Sequence, residues 1–123
     1  YEKVPFYINA SEVCVAPFVR ERNEKSGLSP LKLYDYLACG KPVVASDIVG
    51  VADTLHAANA GTIVTPEDSE SLAQAVLELL RNEELRKQMG ENGRRYVVEN
   101  HSWLSVAQRV AQVCKNTVEG YRR

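Results

Sequence analysis

The sequence lacks the features that mark membrane-spanning, secreted and nucleic-acid-binding proteins. No window approaches the roughly 20 consecutive apolar residues of a membrane span, and no signal-peptide pattern is present. The formal net charge of −1 gives no electrostatic reason to expect nucleic acid or an anionic membrane as a partner. We therefore expect a cytoplasmic protein that has no transmembrane segment and binds no nucleic acid.

Cysteine is scarce, and its spacing excludes the common disulfide and zinc patterns. The three cysteines (Cys14, Cys39 and Cys114) are far apart and form no Cys-x-x-Cys pair. Cys14 and Cys39 lie in apolar runs, which favours buried thiols over a disulfide or metal role and fits a reducing compartment. The two histidines, His56 and His101, have no partner at ligand or dyad spacing, so surface or capping roles are favoured. The sequence therefore assigns no catalytic residue, no metal and no cofactor.

Short apolar runs alternate with helical patterns along the chain. The runs at 13–16, 42–45 and 62–64 are typical of buried parallel strands. Helices are predicted at 4–10, at 51–58 and after three caps, Asp68, Asn82 and Ser102. This order predicts an α/β fold: a partial Rossmann-like three-layer domain with a short parallel sheet of about three strands covered by helices. The 123 residues suffice for one such domain.

Local signals make the expected packing more specific. Residues 18–25 are charged and without a period, which predicts a loop. Gly61 is expected to stop the helix at 51–58, and Asp47 is expected to cap it in preference to touching a ligand. Apolar stripes are expected in the last helices, and their members are Leu72, Val76, Leu79 and Leu80, then Trp103, Val106, Ala107, Val110, Val113, Cys114 and Val118.

The segment at 26–47 carries the most specific chemistry. Ser29 is a good helix N-cap and Pro30 suits the first helical position. Leu31, Tyr34, Leu37 and Ala38 then form the predicted buried face, and Gly40 ends the helix. Free N–H groups and the helix dipole at such a start favour phosphate.

The position of this segment in the predicted sheet supports the same chemistry. Ligands of open parallel sheets bind beyond the carboxyl ends of the strands, and this segment follows the first strand. Asp35, one turn into the helix, could reach a sugar hydroxyl. The residues alone also fit a solvated acid at Asp35 and an ordinary helix start at Ser29, Leu31 and Lys32.

Residues 27–36 (GLSPLKLYDY) and 38–47 (ACGKPVVASD) resemble the donor-binding signature of the group 1, family-4-like retaining glycosyltransferases of the GT-B fold. The resemblance continues through Gly50, residues 60–64, the helix at 68–80, a turn at Met89-Gly90 and the Ser102-Trp103 start of the last helix. It therefore covers nearly the whole chain in a consistent order. Two positions depart from the family: its doubled glycine is Val49-Gly50 here, and Gly27 stands at its first acidic position.

The resemblance implies an enzyme that transfers a sugar from a nucleotide-sugar donor, such as a UDP- or GDP-sugar, to an acceptor with retention. It implies that residues 1–123 are the C-terminal part of the donor-binding domain, without the acceptor domain and the first half of the donor domain. Asp35 resembles the acid that binds the ribose hydroxyls. The residues around the helix start would meet the diphosphate, and these are Gly27, Leu28, Ser29, Leu31 and Lys32. Isolated, the chain is expected to be inactive.

Two other functions are compatible with the sequence. The chain could be a non-catalytic, self-associating module that binds nucleotide-sugars or serves assembly. An exposed strand at 13–16 would then pair with a second copy in a homodimer. The other function, that of a nucleotide-sugar epimerase-like GT-B protein, is disfavoured by residues 29–32 (SPLK) and by the Ser102-Trp103 ending.

Overall fold

The computed structural model describes residues 1–21, 23 and 30–121 and confirms the alternating α/β order. Three parallel strands form one sheet in the order β1-β2-β3. Among the described residues, no helix is long and apolar enough to cross a membrane. The elements are α1 (Val4–Ala10), β1 (Cys14–Ala16), α2 (Leu31–Ala38), β2 (Val43–Ser46), α3 (Val51–Ala58), β3 (Gly61–Val64), α4 (Ser69–Arg81), α5 (Glu83–His101) and α6 (Trp103–Tyr121).

Helices cover both faces of the sheet, as predicted. Alternate residues of β2 point to opposite faces: Val43 and Ala45 belong to the larger apolar cluster, with Leu33 and Leu37 of α2. Val44 belongs to the smaller cluster, in which α4 supplies Ala75 and Leu79. All four residues of β2 are buried, because this strand lies between two neighbours and under helices on both sides. The fold is therefore a partial Rossmann-like three-layer domain.

Helix α5 packs very closely against the end of α2. A Cβ atom at Gly90 would lie 2.1 Å from the carbonyl oxygen of Gly40. One turn later, a Cβ atom at Gly93 would lie 2.7 Å from the Leu37 side chain. Glycine at both positions lets the helix backbone approach α2. Gly90 is buried within α5, so the predicted turn at Met89-Gly90 is wrong.

The three predicted polar caps of the C-terminal helices are confirmed. The Asp68 carboxylate accepts from the N–H groups of Glu70 and Ser71 at 3.1 and 3.0 Å. The Asn82 amide oxygen accepts from the Leu85 N–H at 3.0 Å. The Ser102 hydroxyl accepts from the Ser105 N–H at 3.1 Å. Each cap satisfies a backbone donor that the first helical turn leaves without an intrahelical acceptor.

The start of α2 differs from the prediction. Pro30 occupies the position before the helix rather than its first turn, and the proposed cap, Ser29, lies outside the described residues. Leu31 is 70% exposed, while Leu33 and Leu37 are completely buried. The buried face therefore follows the i, i+4 pair of leucines. The prediction that Leu31 is buried is wrong, because most residues of α2 are apolar and their spacing is compatible with more than one buried face.

The bounds predicted for α3, 51–58, are confirmed, but the residues expected to stop and cap the helix are wrong. Asn59, in a left-handed conformation (φ +48°), follows the last helical residue and ends the helix, in place of Gly61. Gly61 begins β3, where a Cβ atom would lie 2.0 Å from the Val43 carbonyl oxygen. At the other end, the carboxylate of Asp53 accepts from the Gly50 N–H at 3.0 Å. The predicted cap, Asp47, makes no such bond among the described residues.

Three further expectations about surface and loops are wrong. Helical conformation at Arg20, Glu21 and Asn23 interrupts the loop predicted at 18–25. Leu80 is 46% exposed. Trp103 is 92% exposed, and α6 has no buried residue. The predicted apolar face of α6 is half-buried at Val106 but exposed at Val110, Val113 and Val118.

Candidate functional site

The candidate site lies at the edge of the sheet where the strands end. Immediately after β1 the chain turns, and the Phe18 N–H donates to the Ala16 carbonyl oxygen at 3.0 Å. Helix α2 connects the end of β1 to the start of β2, which runs parallel to it. The first residues of α2 therefore lie at the carboxyl edge of the sheet, where open parallel sheets bind ligands.

Three of the predicted site residues share one face of α2. Asp35 follows Leu31 by four positions and Lys32 by three, which are the spacings that bring helical side chains together. This face points away from the buried Leu33 and Leu37. The remaining predicted residues, Gly27, Leu28 and Ser29, lie outside the described residues.

The N-terminal turn of α2 offers backbone donors. The Leu33 N–H donates to the Pro30 carbonyl oxygen at 2.8 Å. Within residues 1–21, 23 and 30–121, nothing accepts from the N–H groups of Leu31 and Lys32. Such groups, with the positive end of the helix dipole, can bind an anion.

Lys32 adds a fixed positive charge to this turn. Its Nζ atom lies 4.3 Å from the centroid of the Phe18 ring, a distance typical of a cation–π interaction. Phe18 is half-buried and packs against the larger apolar cluster. The ring that carries the ammonium is therefore held by the core, at the edge where β1 ends.

Asp35 is half-buried and has one side-chain partner among the described residues. The Tyr1 hydroxyl donates to its two carboxylate oxygens at 3.1 and 3.4 Å. Because the ionised phenol would lose this hydrogen bond and be repelled by the Asp35 charge, the pKa of Tyr1 is raised above its ordinary value. One proton occupies only part of the acceptor capacity of a carboxylate, so Asp35 can accept further hydrogen bonds from a ligand.

A small cavity of about 150 Å³ adjoins Asp35 between α1 and α2. Its walls are mainly apolar, and Cys39 lies at its α2 side. Burial and the nearby charge of Asp35 raise the pKa of the Cys39 thiol, which favours its protonated form. The cavity is lined by Tyr1, Val4, Pro5, Ile8, Asp35, Ala38 and Cys39.

A second depression of about 200 Å³ occupies the same edge of the sheet, beyond all three strands. No residue of α2 lines it, but it shares the segment after β1 with the α2 face, since Pro17 lines it and the next residue, Phe18, contacts Lys32. Within the described ranges, no three His, Cys, Asp or Glu side chains are grouped so as to hold a metal ion. The depression is lined by Pro17, Ser46, Val64, Thr65, Glu67, Asp68, Ser69 and Leu72.

Sequence reasoning missed Phe18 and Tyr1. Phe18 had a usable signal, because it is the first aromatic residue after a predicted strand at the ligand-binding edge. Tyr1 had none, since its contact with Asp35 spans 34 residues. His101, expected at the surface or in a cap, is half-buried and stacks on Tyr34 with ring centroids 4.5 Å apart.

Known proteins match this chain over most of its length. The family described as Glycosyl transferases group 1 matches residues 1–96, which include the whole α2 face. An uncharacterized glycosyltransferase of Methanocaldococcus jannaschii is 28% identical over 113 residues, or 92% of this chain and 30% of that protein. Phosphatidyl-myo-inositol mannosyltransferase of Mycobacterium leprae is 36% identical over 81 residues, or 66% of this chain and 21% of that protein.

Solved structures share the fold. Sucrose-phosphate synthase from Thermosynechococcus elongatus matches with a TM-score of 0.77 and 27% identity, over 93% of this chain and 27% of that one. WaaG, a glycosyltransferase involved in lipopolysaccharide biosynthesis, matches with a TM-score of 0.63 at 23% identity and supports the fold alone. The chain thus spans less than a third of the length of these relatives.

Proposed function

Since this chain belongs to the group 1 glycosyltransferases, we propose that it forms part of the nucleotide-sugar donor site of a retaining sugar transferase. In this proposal, residues 1–123 are the C-terminal part of the donor-binding domain of a GT-B enzyme. The observation that carries it is the shared face of α2, a helix that begins at the carboxyl edge of the sheet and carries Lys32 and Asp35 on that face.

Asp35 is proposed to bind the ribose of the donor. A carboxylate can accept from both vicinal hydroxyls of a ribose, and the Tyr1 hydroxyl leaves acceptor sites free for them. Hydrogen bonds to a charged group contribute about 1.5–3 kcal/mol each. The half-buried position of Asp35 limits the competition from water.

The first turn of α2 is proposed to bind the diphosphate. The N–H groups of Leu31 and Lys32 supply donors, and the Lys32 ammonium supplies charge; the predicted contacts at Gly27, Leu28 and Ser29 belong to the same proposal. In retaining transfer these groups would stabilise the negative charge on the departing diphosphate, which is a form of electrostatic catalysis. They include no protein nucleophile.

Calorimetric titration tests the donor site. UDP, GDP and their sugars are titrated into the chain and into its Asp35→Ala variant, with Asp47→Ala as the control at an aspartate outside the α2 face. We expect one nucleotide to bind and Asp35→Ala to weaken it by about 10-fold or more, on the scale of one or two charged hydrogen bonds. Equal affinity for the wild type and Asp35→Ala, or no nucleotide binding at millimolar concentration, would overturn the proposal.

The isolated chain is proposed to bind donor without transferring sugar. Retaining transfer needs groups that position the acceptor, and these are assigned to the rest of the parent enzyme. The measurement is the release of radiolabelled sugar from UDP- and GDP-sugars and its transfer to an acceptor. Sustained turnover by this chain alone, abolished by Asp35→Ala, would contradict the proposal that the isolated chain binds donor without transferring sugar.

A second function, self-association, is favoured by the position of β1 in the sheet. β1 is an edge strand, and its Val15 is 41% exposed. Open strand edges pair readily with other strands. Under this alternative the chain is a non-catalytic homodimer that joins two sheets through β1 and retains nucleotide-sugar binding.

A further inference from the structure

We propose that Phe18 is a positioning residue that holds the Lys32 ammonium ready for the diphosphate of the donor. The inference rests on the proposed donor site and names a residue outside the α2 face. Phe18 is not expected to touch the nucleotide itself. Its role is exerted through Lys32.

The Phe18 ring is fixed from two sides. Its backbone N–H donates to Ala16, the last residue of β1, at 3.0 Å. Its side chain is half-buried and packs against the apolar cluster that includes Leu33 of α2. The ring therefore lies against the core, beside the helix that carries Lys32.

Lys32 gains a defined position from this ring. A free lysine side chain samples many rotamers, and its ordering on binding opposes affinity. Here the ammonium lies 4.3 Å from the ring centroid, and no described carboxylate forms an ion pair with it. The ring contacts one side of the ammonium, so N–H donors remain for a phosphate oxygen.

This arrangement predicts an effect specific to phosphate. Removing the aromatic face frees Lys32 and weakens diphosphate binding by about 2–5-fold, the scale of one exposed cation–π contact. Affinity for a nucleoside without phosphate is expected to stay unchanged, because Asp35 is unaffected.

The test uses two Phe18 variants and one Lys32 variant. Phe18→Leu keeps an apolar side chain against the core and removes the π face, whereas Phe18→Tyr keeps the face and is the matched control. Each is titrated with the better-binding nucleoside diphosphate, UDP or GDP, and with its nucleoside. Of the two Phe18 variants, we expect only Phe18→Leu to lose affinity, and only for the diphosphate. We expect Lys32→Met to weaken diphosphate binding as well, and Phe18→Leu to have no further effect in that background.

An NMR measurement made without nucleotide tests the contact between Phe18 and Lys32 independently of the proposed donor site. The Lys32 Hε protons should be shifted upfield by the ring current in the wild type and in Phe18→Tyr, and not in Phe18→Leu. Upfield shifts without any nucleotide binding would mean that the donor-site proposal, and with it the role of Phe18, is wrong. Diphosphate binding that Phe18→Leu leaves unchanged, or weakens equally for the nucleoside, would overturn the inference alone.

Discussion

The Tyr1 hydroxyl donates to both carboxylate oxygens of Asp35, linking the chain before α1 to the middle of α2. The contact orients the carboxylate that we assign to the donor ribose. It also places the exposed Tyr1 ring at the rim of the cavity beside α2. The proposed ribose site is therefore built from two distant parts of the sequence.

The first prediction is that Asp35→Asn lowers the pKa of Tyr1 towards its ordinary value of 10.0. The hydrogen bond to Asp35 and the Asp35 charge raise this pKa, and the amide removes the charge. Because the folded pKa is raised, the stabilisation by this bond is present below the unfolded pKa and is lost as the pH rises through the folded pKa. Tyrosine Cζ shifts followed by NMR against pH measure it.

Asp47→Asn is the control for that titration and should leave the Tyr1 pKa raised. If Asp35→Asn also leaves the pKa of Tyr1 unchanged, then the Tyr1 and Asp35 side chains do not interact in solution. The description of Asp35 as an oriented carboxylate would then be wrong.

The second prediction concerns the approach of α5 to α2. Gly90→Ala is expected to destabilise the fold by about 2 kcal/mol or more, because the new Cβ meets the Gly40 carbonyl and backbone must move. Gly120→Ala, in α6 with open space around it, is the matched control. It should be neutral or stabilising by up to about 1 kcal/mol. Urea unfolding measures both, and equal effects would contradict the close packing.

The third prediction concerns His101. Burial, and then the Arg109 charge, lower the pKa of His101, so the neutral imidazole is favoured against the Tyr34 ring. The stability from this group is complete above the unfolded pKa of about 6.5 and is lost as the pH falls through that value towards the lowered folded pKa.

His101→Phe keeps an aromatic ring on Tyr34 and removes the titrating group, so it should flatten the fall in Tm between pH 8 and pH 5. His56→Gln, which removes an exposed histidine, is the control and should keep the wild-type slope. If His101→Phe keeps the wild-type dependence of Tm on pH, then the pKa of the His101 imidazole does not differ between the folded and the unfolded chain.

The fourth prediction tests the alternative function at the β1 edge. The Cys14 N–H donates to the Pro42 carbonyl oxygen at 3.0 Å, so the N–H of the next residue, Val15, points away from β2. If copies pair through β1, Val15→Pro removes the outward donor and yields monomer, while Val15→Thr stays dimeric. Sedimentation velocity measures this, and a monomeric wild type at high concentration would eliminate the alternative.

The sequence predicted the parts of the fold that depend on local chemistry. Strand and helix order followed from short apolar runs, and the caps at Asp68, Asn82 and Ser102 followed from side chains that bond their own helix start. The parts that failed depend on what covers an element. Leu31 and Trp103 both lie on apolar helical faces, and periodicity cannot tell which of these faces meets another layer.

The candidate site divides in the same way. The shared face of Lys32 and Asp35 follows from helical spacing and was predictable. The contacts of Phe18 with Lys32 and of Tyr1 with Asp35 depend on how β1 and α1 lie beside α2. The hydrophobic periodicity of the sequence gives no information on how these elements pack beside one another.

The most direct test of the donor-site assignment is amide chemical-shift mapping of the ¹⁵N-labelled chain during titration with UDP and GDP. We predict saturable shifts concentrated at the start of α2, at Leu31, Lys32 and Asp35, and at Phe18, with α4 and α6 unaffected. Shifts confined to other elements, or no saturable shift with either nucleotide, would contradict the proposal that this chain holds the ribose and diphosphate of a sugar donor.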